Sequence, residues 1–139
     1  MVRVIRKNEK GQLGQGLVEF ALIIPLFLLL VFAMVDFGMG FYSWITVTNA
    51  AREGARVGAV RADSATITQR VKDTAGSLNN ANLSVSVTNA QGTTGGDVVV
   101  TATYQYQLIT PLSKFLQLFS GGGIGSNISF SSTAHMRLE

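Results

Sequence analysis

The chain has 139 residues, of which 47% are apolar and only 14% are charged, whereas an ordinary soluble domain has about 25% charged residues. The absence of cysteine excludes disulfides and thiolate metal sites. The net charge of +3 resides in the first 14 residues and the remainder is neutral, which argues for a membrane-topology signal and against a nucleic-acid-binding surface.

The first predicted element is a membrane-spanning helix over residues 17–35, which are apolar apart from Glu19. A helix of that length covers about 28 Å, close to the hydrocarbon thickness of a bilayer. A cleavable secretory signal would have a shorter apolar core followed by small residues, and a buried helix would need a larger core than the other residues supply. We expect a kink at Pro25, which lacks a backbone donor.

Basic residues on one side of the span predict its orientation. Four lysines or arginines precede it, and the first one after it is Arg52. The positive-inside rule therefore places the N-terminus in the cytoplasm and the C-terminal part outside. The predicted divisions are a basic leader (1–14), a transmembrane helix (15–36), a juxtamembrane continuation of that helix (37–62) and a small exported domain (63–139).

Two acidic residues bracket the span. Glu19 lies just inside its start and Asp36 directly after its end, and a charge in lipid is costly unless it is paired or reaches the surface. Glu19 either extends to the headgroups or pairs with a positive group. Asp36 is expected to be solvated at the outer boundary, with a polar contact to a partner helix as the alternative. Phe41, Tyr42 and Trp44 are expected at the outer membrane–water interface.

A positive partner for Glu19 arises if a peptidase cuts the chain after Gly14. The new N-terminal ammonium of Gln15 would then lie four residues from the carboxylate. Its charge would offset the acid, either within one chain or between stacked neighbours, because a buried charge is tolerated when it is paired.

This order of features, a basic leader, a glycine, four residues, a Glu-Phe pair and a long apolar helix, resembles the type IV prepilin class. A cut after Gly16 fits that pattern less well. With DFG (36–38) and NAAREGAR (49–56), the chain is similar to the TadE-like minor pseudopilins of the tight-adherence (Flp) pilus system. The similarity is strong over residues 11–62 and looser beyond them.

The resemblance implies a structural subunit of the bacterial inner membrane that is matured by a prepilin peptidase and takes part in pilus assembly. It implies Gly14 as the cleavage residue, Gln15 as the new N-terminus and Glu19 as the assembly carboxylate. The implied partners are other pilin and pseudopilin subunits, the inner-membrane assembly platform and the lipid bilayer. The alternative is an uncleaved single-pass anchor that presents a small extracellular binding domain.

Small residues form a stripe on the helix beyond the span. Ala50, Gly54, Gly58 and Ala62 recur at every fourth position, a spacing that lets two backbones approach closely. Glycine in mid-helix costs about 1 kcal/mol relative to alanine, so the two glycines indicate a packing requirement. The stripe packs either on the small domain of the same chain or on a helix of another subunit.

Three segments alternate between apolar and polar residues and predict strands over 83–88, 97–109 and 127–138. The spacing of apolar side chains predicts a helix over 66–78, capped by Asp63 or Ser64. The predicted fold class is α+β: a long N-terminal transmembrane helix, followed by a helix packed on a three-stranded antiparallel sheet.

A second, short helix is predicted over residues 111–119, with Pro111 in its first turn. Its apolar residues are Leu112, Phe115, Leu116 and Phe119. Core packing is the expected role of this helix, and contact with the membrane or with a neighbouring subunit remains open. The glycines at 121–123 are expected to end it and to form a flexible link.

The sequence shows no catalytic constellation. His135 is the only histidine, and the alternation places it on the polar face of the last strand. The glycine-rich stretch GGGIGS (121–126) lacks the lysine and the strand-to-helix context of a phosphate-binding loop. We therefore expect no catalytic residue, no cofactor and no metal, and we predict that the protein is not an enzyme.

Overall fold

The computed structural model describes residues 9–120 and 127–139. In chain order the elements are α1 (Glu9–Ala59), α2 (Ser64–Thr74), a 3-10 helix (Asn80–Asn82), β1 (Leu83–Thr88), β2 (Asp97–Gln107), α3 (Leu112–Ser120) and β3 (Asn127–Arg137). The predicted α+β fold class, with its long N-terminal helix, is confirmed. Most of the predicted leader and the predicted glycine link lie outside the described residues.

The three strands form one antiparallel sheet in the order β1-β2-β3. Leu83 pairs with Tyr104 across β1 and β2, and Tyr104 pairs with Phe130 across β2 and β3. The sheet has one buried face, to which β2 contributes Val98, Val100, Ala102, Tyr104 and Tyr106. The opposite face is polar, and hydroxyl pairs such as Thr101 with Thr133 link its strands at 3.0 Å. This division follows from the period-2 alternation of the sequence.

The outer half of α1 and all of α2 cover the apolar face of the sheet. Val47, Ala50 and Ala55 of α1 are fully buried there, as are Ile67 and Val71 of α2. The juxtamembrane part of α1 is therefore itself part of the core of the small domain. Because one helix is shared, the apolar half of α1 and the sheet are joined without an intervening linker.

The outer half of α1 lies along β2 and runs in the opposite direction. A β-carbon built on Gly40 would lie 4.0 Å from the ring of Tyr106, whereas one built on Gly58 would lie 3.0 Å from Val98. The amide of the terminal Glu139 donates to the carbonyl of Ala59 at 3.1 Å. The sheet therefore has two distinct ends, and the connection from β2 through α3 to β3 lies at the end nearest the apolar half of α1.

The helix after α1 begins earlier than the apolar spacing predicts and also ends earlier, at Thr74. Asp63 occupies the N-cap position, but its side chain makes no hydrogen bond to a backbone amide of α2. Its carboxylate accepts a hydrogen bond from the hydroxyl of Thr66 instead. After Thr74 the chain turns, with the amide of Leu78 donating to the carbonyl of Ala75 at 2.8 Å.

Candidate functional site

The apolar half of α1, residues 17–35, has almost no contact with the rest of the chain. Its most apolar stretch contains no buried residue, and side chains such as Leu22 and Leu26 are 74% and 70% exposed. A continuous apolar surface of this size is not stable in water and indicates a lipid or protein environment. By length and composition α1 is able to cross a membrane, so the structure contains one helix suited to single-pass anchoring.

The predicted cleavage residues lie on an open turn at the start of this apolar half. Apart from the adjacent residues and the backbone of the helix itself, no described atom lies within 4 Å of the β-carbon position of Gly14 or of Gly16. The side-chain amide of Gln15 donates to a carboxylate oxygen of Glu19 at 3.1 Å, so the two residues occupy one side of the helix, one turn apart. Each glycine lowers helix stability by about 1 kcal/mol relative to alanine, which makes this turn of α1 easier to unwind than its neighbours.

The structure places the small-residue stripe against other elements of the same chain. A β-carbon on Gly54 would lie 2.4 Å from Val71 of α2, and one on Gly58 would lie 3.0 Å from Val98 of β2. Ala50 is fully buried in the same core. Ala62 follows the end of α1 and is partly buried against that core. The two glycines therefore allow α1 to approach α2 and β2 within one chain.

An ion-pair cluster joins the exposed edges of α1 and α2. Glu53 lies 2.8 Å from the guanidinium of Arg56 and 2.7 Å from that of Arg70. The pairing with Arg56 is expected from their three-residue spacing, but Arg70 comes from α2 and has no local sequence signal. Hydrogen bonds from Arg56 and then from Arg70 lower the pKa of the Glu53 carboxyl from 4.5 to about 2.

Asp36 is buried, and the expectation that it is solvated or reaches a partner helix is wrong. Its side chain is only 5% exposed. It accepts hydrogen bonds from the backbone amides of Ile109 at 2.9 Å and Thr110 at 3.3 Å, and from the Thr110 hydroxyl. The Tyr106 hydroxyl donates to it at a longer distance of 3.4 Å. All of these partners lie at least 70 residues away in the sequence, so no local pattern reveals them.

This set of hydrogen bonds fixes the end of β2 and the start of α3 onto α1 at the point where the apolar half ends. The donors are backbone and hydroxyl groups that would otherwise be partly buried without a partner, and a carboxylate satisfies several of them at once. Burial, followed by the charge of Asp36, raises the pKa of the Tyr106 hydroxyl. Asp36 is thus a structural clamp rather than a free surface charge.

Residues 14–56 match the family model described as TadE-like protein. This part of the chain, which lies within α1, is similar to the TadE-like family. The match begins at Gly14 and extends through Glu19, Asp36 and Gly54, and it confirms the resemblance seen in the sequence. It implies a component of Tad pilus assembly with an N-terminal hydrophobic helix. No curated protein and no solved structure matches the chain.

Apolar exposure continues along α1 past the clamp. Phe37, Phe41, Trp44 and Ile45 are 68%, 57%, 47% and 54% exposed and recur at helical spacing. The rings of Phe37 and Phe41 lie 6.3 Å apart. Aromatic residues of this kind are favoured at membrane–water interfaces and in helix–helix contacts.

The described part of the chain offers little for metal chemistry. Across residues 14–120 and 127–139, no three histidine, aspartate or glutamate side chains cluster as a metal ion would require. His135 is exposed on the polar face of β3. The candidate site is the exposed apolar surface formed by the apolar half of α1 and its continuation.

Proposed function

We propose that this TadE-like protein is a minor pseudopilin: a membrane-anchored structural subunit that takes part in assembly of a Tad-type pilus after a prepilin peptidase removes its leader. The observation that carries the proposal is the family match, which begins at Gly14. The open helical turn that holds Gly14, Gln15 and Glu19 supports it.

Cleavage after Gly14 supplies a positive partner for the carboxylate of Glu19. It converts the backbone nitrogen of Gln15 from an amide into an ammonium group, one helical turn, or about 6 Å, from residue 19. A carboxylate at the edge of lipid is costly when it is unpaired, and the new cation offsets that cost within one chain or between neighbours in an assembly. Among the described residues of the uncleaved chain, the group that hydrogen-bonds to the carboxylate is the neutral amide of the Gln15 side chain.

The rigid attachment of the small domain to α1 suits a structural subunit. The close contacts at Gly54 and Gly58 and the clamp at Asp36 hold the sheet on the outer half of the helix. The position of α1 among other pilin helices would therefore set the position of the sheet as well. The exposed apolar half of α1 provides the surface for those contacts, with the N-terminus in the cytoplasm and the sheet outside.

Mass spectrometry of the chain, isolated from bacterial cells that contain a prepilin peptidase, tests the proposal. We expect a mature chain that begins at Gln15. Gly14→Val should leave the leader in place, because the substitution puts a branched side chain at the cut. Gly16→Val is the matched control, since it alters the other glycine of the same turn but leaves the residue before the cut unchanged.

Two outcomes would contradict the proposal. A mature chain beginning at Leu17 would show that the cut follows Gly16 and that the predicted frame is wrong. A wild-type chain that retains residues 1–14 in the presence of an active peptidase would instead support an uncleaved single-pass anchor that presents its small domain outside the membrane.

A further inference from the structure

The short helix α3 is held at the end of the apolar half of α1. The backbone amides of Ile109 and Thr110, just before α3, donate to the carboxylate of Asp36, and Asp36 directly follows residues 17–35. The start of α3 is therefore fixed at the depth where α1 would leave the hydrocarbon. If α1 crosses the membrane, α3 lies beside the bilayer surface and not at the far end of the sheet.

Of the four apolar residues expected to pack α3 on the core, the side chains of Leu116 and Phe119 lie outside the part that the structure describes. Leu112 is half-buried and Phe115 is 37% exposed, and Leu118, a further apolar residue of α3, is 78% exposed. At 100° per residue these three side chains fall within about 120° of one another, Ser113 and Gln117 fall on the opposite side, and Lys114 lies at the edge of the apolar side, one turn before Leu118. An amphipathic helix with exposed apolar side chains is typical of segments that lie in a membrane interface.

The space between α3 and α1 is also apolar. A cleft of about 200 Å³ opens there, lined chiefly by Phe37, Phe41, Leu108, Leu112, Ile128 and Phe130. Phe37, which lines the cleft, is also 68% exposed on the surface of α1. The cleft therefore connects Leu112 of α3 with the exposed apolar surface of α1.

We propose that α3 is a second membrane contact: it lies in the outer leaflet, with Leu118 and Phe115 among the acyl chains and an acyl chain end in the cleft against α1. Lys114, the only charged residue between Leu108 and Ser120, lies at the edge of the apolar side, one turn before Leu118, and its long side chain can extend to the lipid phosphates. The inference depends on α1 spanning the bilayer, which is part of the proposed function.

The chain contains no cysteine, so single cysteines can be introduced and spin-labelled in the full-length protein. The informative pair is Leu118→Cys and Gln117→Cys, adjacent residues on opposite sides of α3, with Ser131→Cys on the polar face of the sheet as a water-exposed reference. After reconstitution into vesicles of phosphatidylcholine and phosphatidylglycerol, electron paramagnetic resonance compares collisions with oxygen, which concentrates in lipid, and with a water-soluble nickel chelate.

The label at 118 should collide with oxygen and be several-fold less accessible to the nickel chelate than the labels at 117 and 131. Equal nickel accessibility at 118 and 131 would overturn the inference. So would protection of 118 from both reagents with spectral broadening that increases with protein density, because a neighbouring copy would then cover α3.

A label at Phe27→Cys, in the middle of the apolar half of α1, distinguishes failure of the α3 proposal from failure of the membrane span. Lipid exposure at 27 together with water exposure at 118 refutes only the role of α3. Water exposure at 27 refutes the membrane span, and with it both the inference and the anchoring on which the proposed function rests.

Discussion

A β-carbon added to Gly54 would lie 2.4 Å from the Cγ2 atom of Val71. That separation is shorter than van der Waals contact permits, so α1 and α2 approach as they do only because residue 54 has no side chain. The same β-carbon would also lie 3.3 Å from Val100 of β2. Gly54 is thus the point where both helices and the sheet meet.

We expect Gly54→Ala to destabilise the small domain. Overpacking of a core costs about 1–3 kcal/mol, and the gain in helix propensity returns at most about 1 kcal/mol. Gly38→Ala is the matched control in the same helix, because no described atom outside the adjacent residues and the helix's own backbone lies within 4 Å of its β-carbon position, and only the propensity gain remains. Pulse proteolysis of the detergent-solubilised chain across a urea series measures the free energy of unfolding of both variants. Equal stability of Gly54→Ala and Gly38→Ala would refute this close contact.

A second prediction concerns the clamp at Asp36. Asp36→Ala leaves the partly buried amides of Ile109 and Thr110 without their acceptor, and a buried donor left unsatisfied costs about 1–3 kcal/mol. We expect faster amide hydrogen exchange at residues 109 and 110 and earlier proteolysis of the connection that contains α3. The same urea series should show that the free energy of unfolding falls by about 3 kcal/mol, consistent with several lost hydrogen bonds to a charged group.

Tyr106→Phe is a milder variant that removes only one of the groups hydrogen-bonded to Asp36. It removes only the hydroxyl, whose distances to the carbonyl and carboxylate of Asp36 are 3.3 and 3.4 Å, and it keeps the ring against Phe130. It should cost less than about 1 kcal/mol, the value of an ordinary neutral hydrogen bond. A larger effect from Tyr106→Phe than from Asp36→Ala would contradict the role assigned to the carboxylate.

The strands were predictable because strict alternation is a local signal. The predicted segment 97–109 differs from β2 only at its end, where the chain leaves the ladder after Gln107 to reach Asp36. The partners of Asp36 are at least 70 residues away, so sequence spacing gave no indication that the residue is buried. The stripe at Gly54 was recognisable, but small residues pack equally well on the same chain and on another subunit, and the fold places them against α2 and β2 of the same chain.

The ion-pair cluster around Glu53 predicts a pH dependence. The unfolded chain takes up a proton at this carboxyl near pH 4.5, but the folded chain does so only near pH 2. The contribution of the cluster to stability is therefore complete above about pH 4.5 and is lost as the pH falls toward 2. Glu53→Gln should be less stable than the wild type at neutral pH and should lose less stability on acidification, so that the two converge near pH 2.

Arg52→Gln provides the control for this acid titration. Arg52 is an exposed neighbour of Glu53 on α1, and its removal changes the local charge without removing either of the guanidinium groups that contact Glu53. It should retain the acid sensitivity of the wild type between pH 4.5 and pH 2. Equal acid sensitivity of Glu53→Gln and the wild type would show that these ion pairs contribute nothing to folding.

The last prediction separates charge from hydrogen bonding at Glu19. Glu19→Ala should still be cut after Gly14, because that bond is unchanged, but it leaves the new ammonium of Gln15 unpaired, and assembly should fall. Glu19→Gln keeps the length of the side chain and an acceptor for the Gln15 amide, but it carries no charge.

If charge pairing drives assembly, both variants give mature chains by mass spectrometry yet fail to enter filaments or to crosslink with other subunits. A defect in Glu19→Ala alone would assign the role to the hydrogen bond, and normal assembly of Glu19→Ala would refute the pairing altogether. The charge matters because packed apolar helices exclude water. An ammonium at the edge of lipid is then not solvated, and it needs a counter-charge to be tolerated.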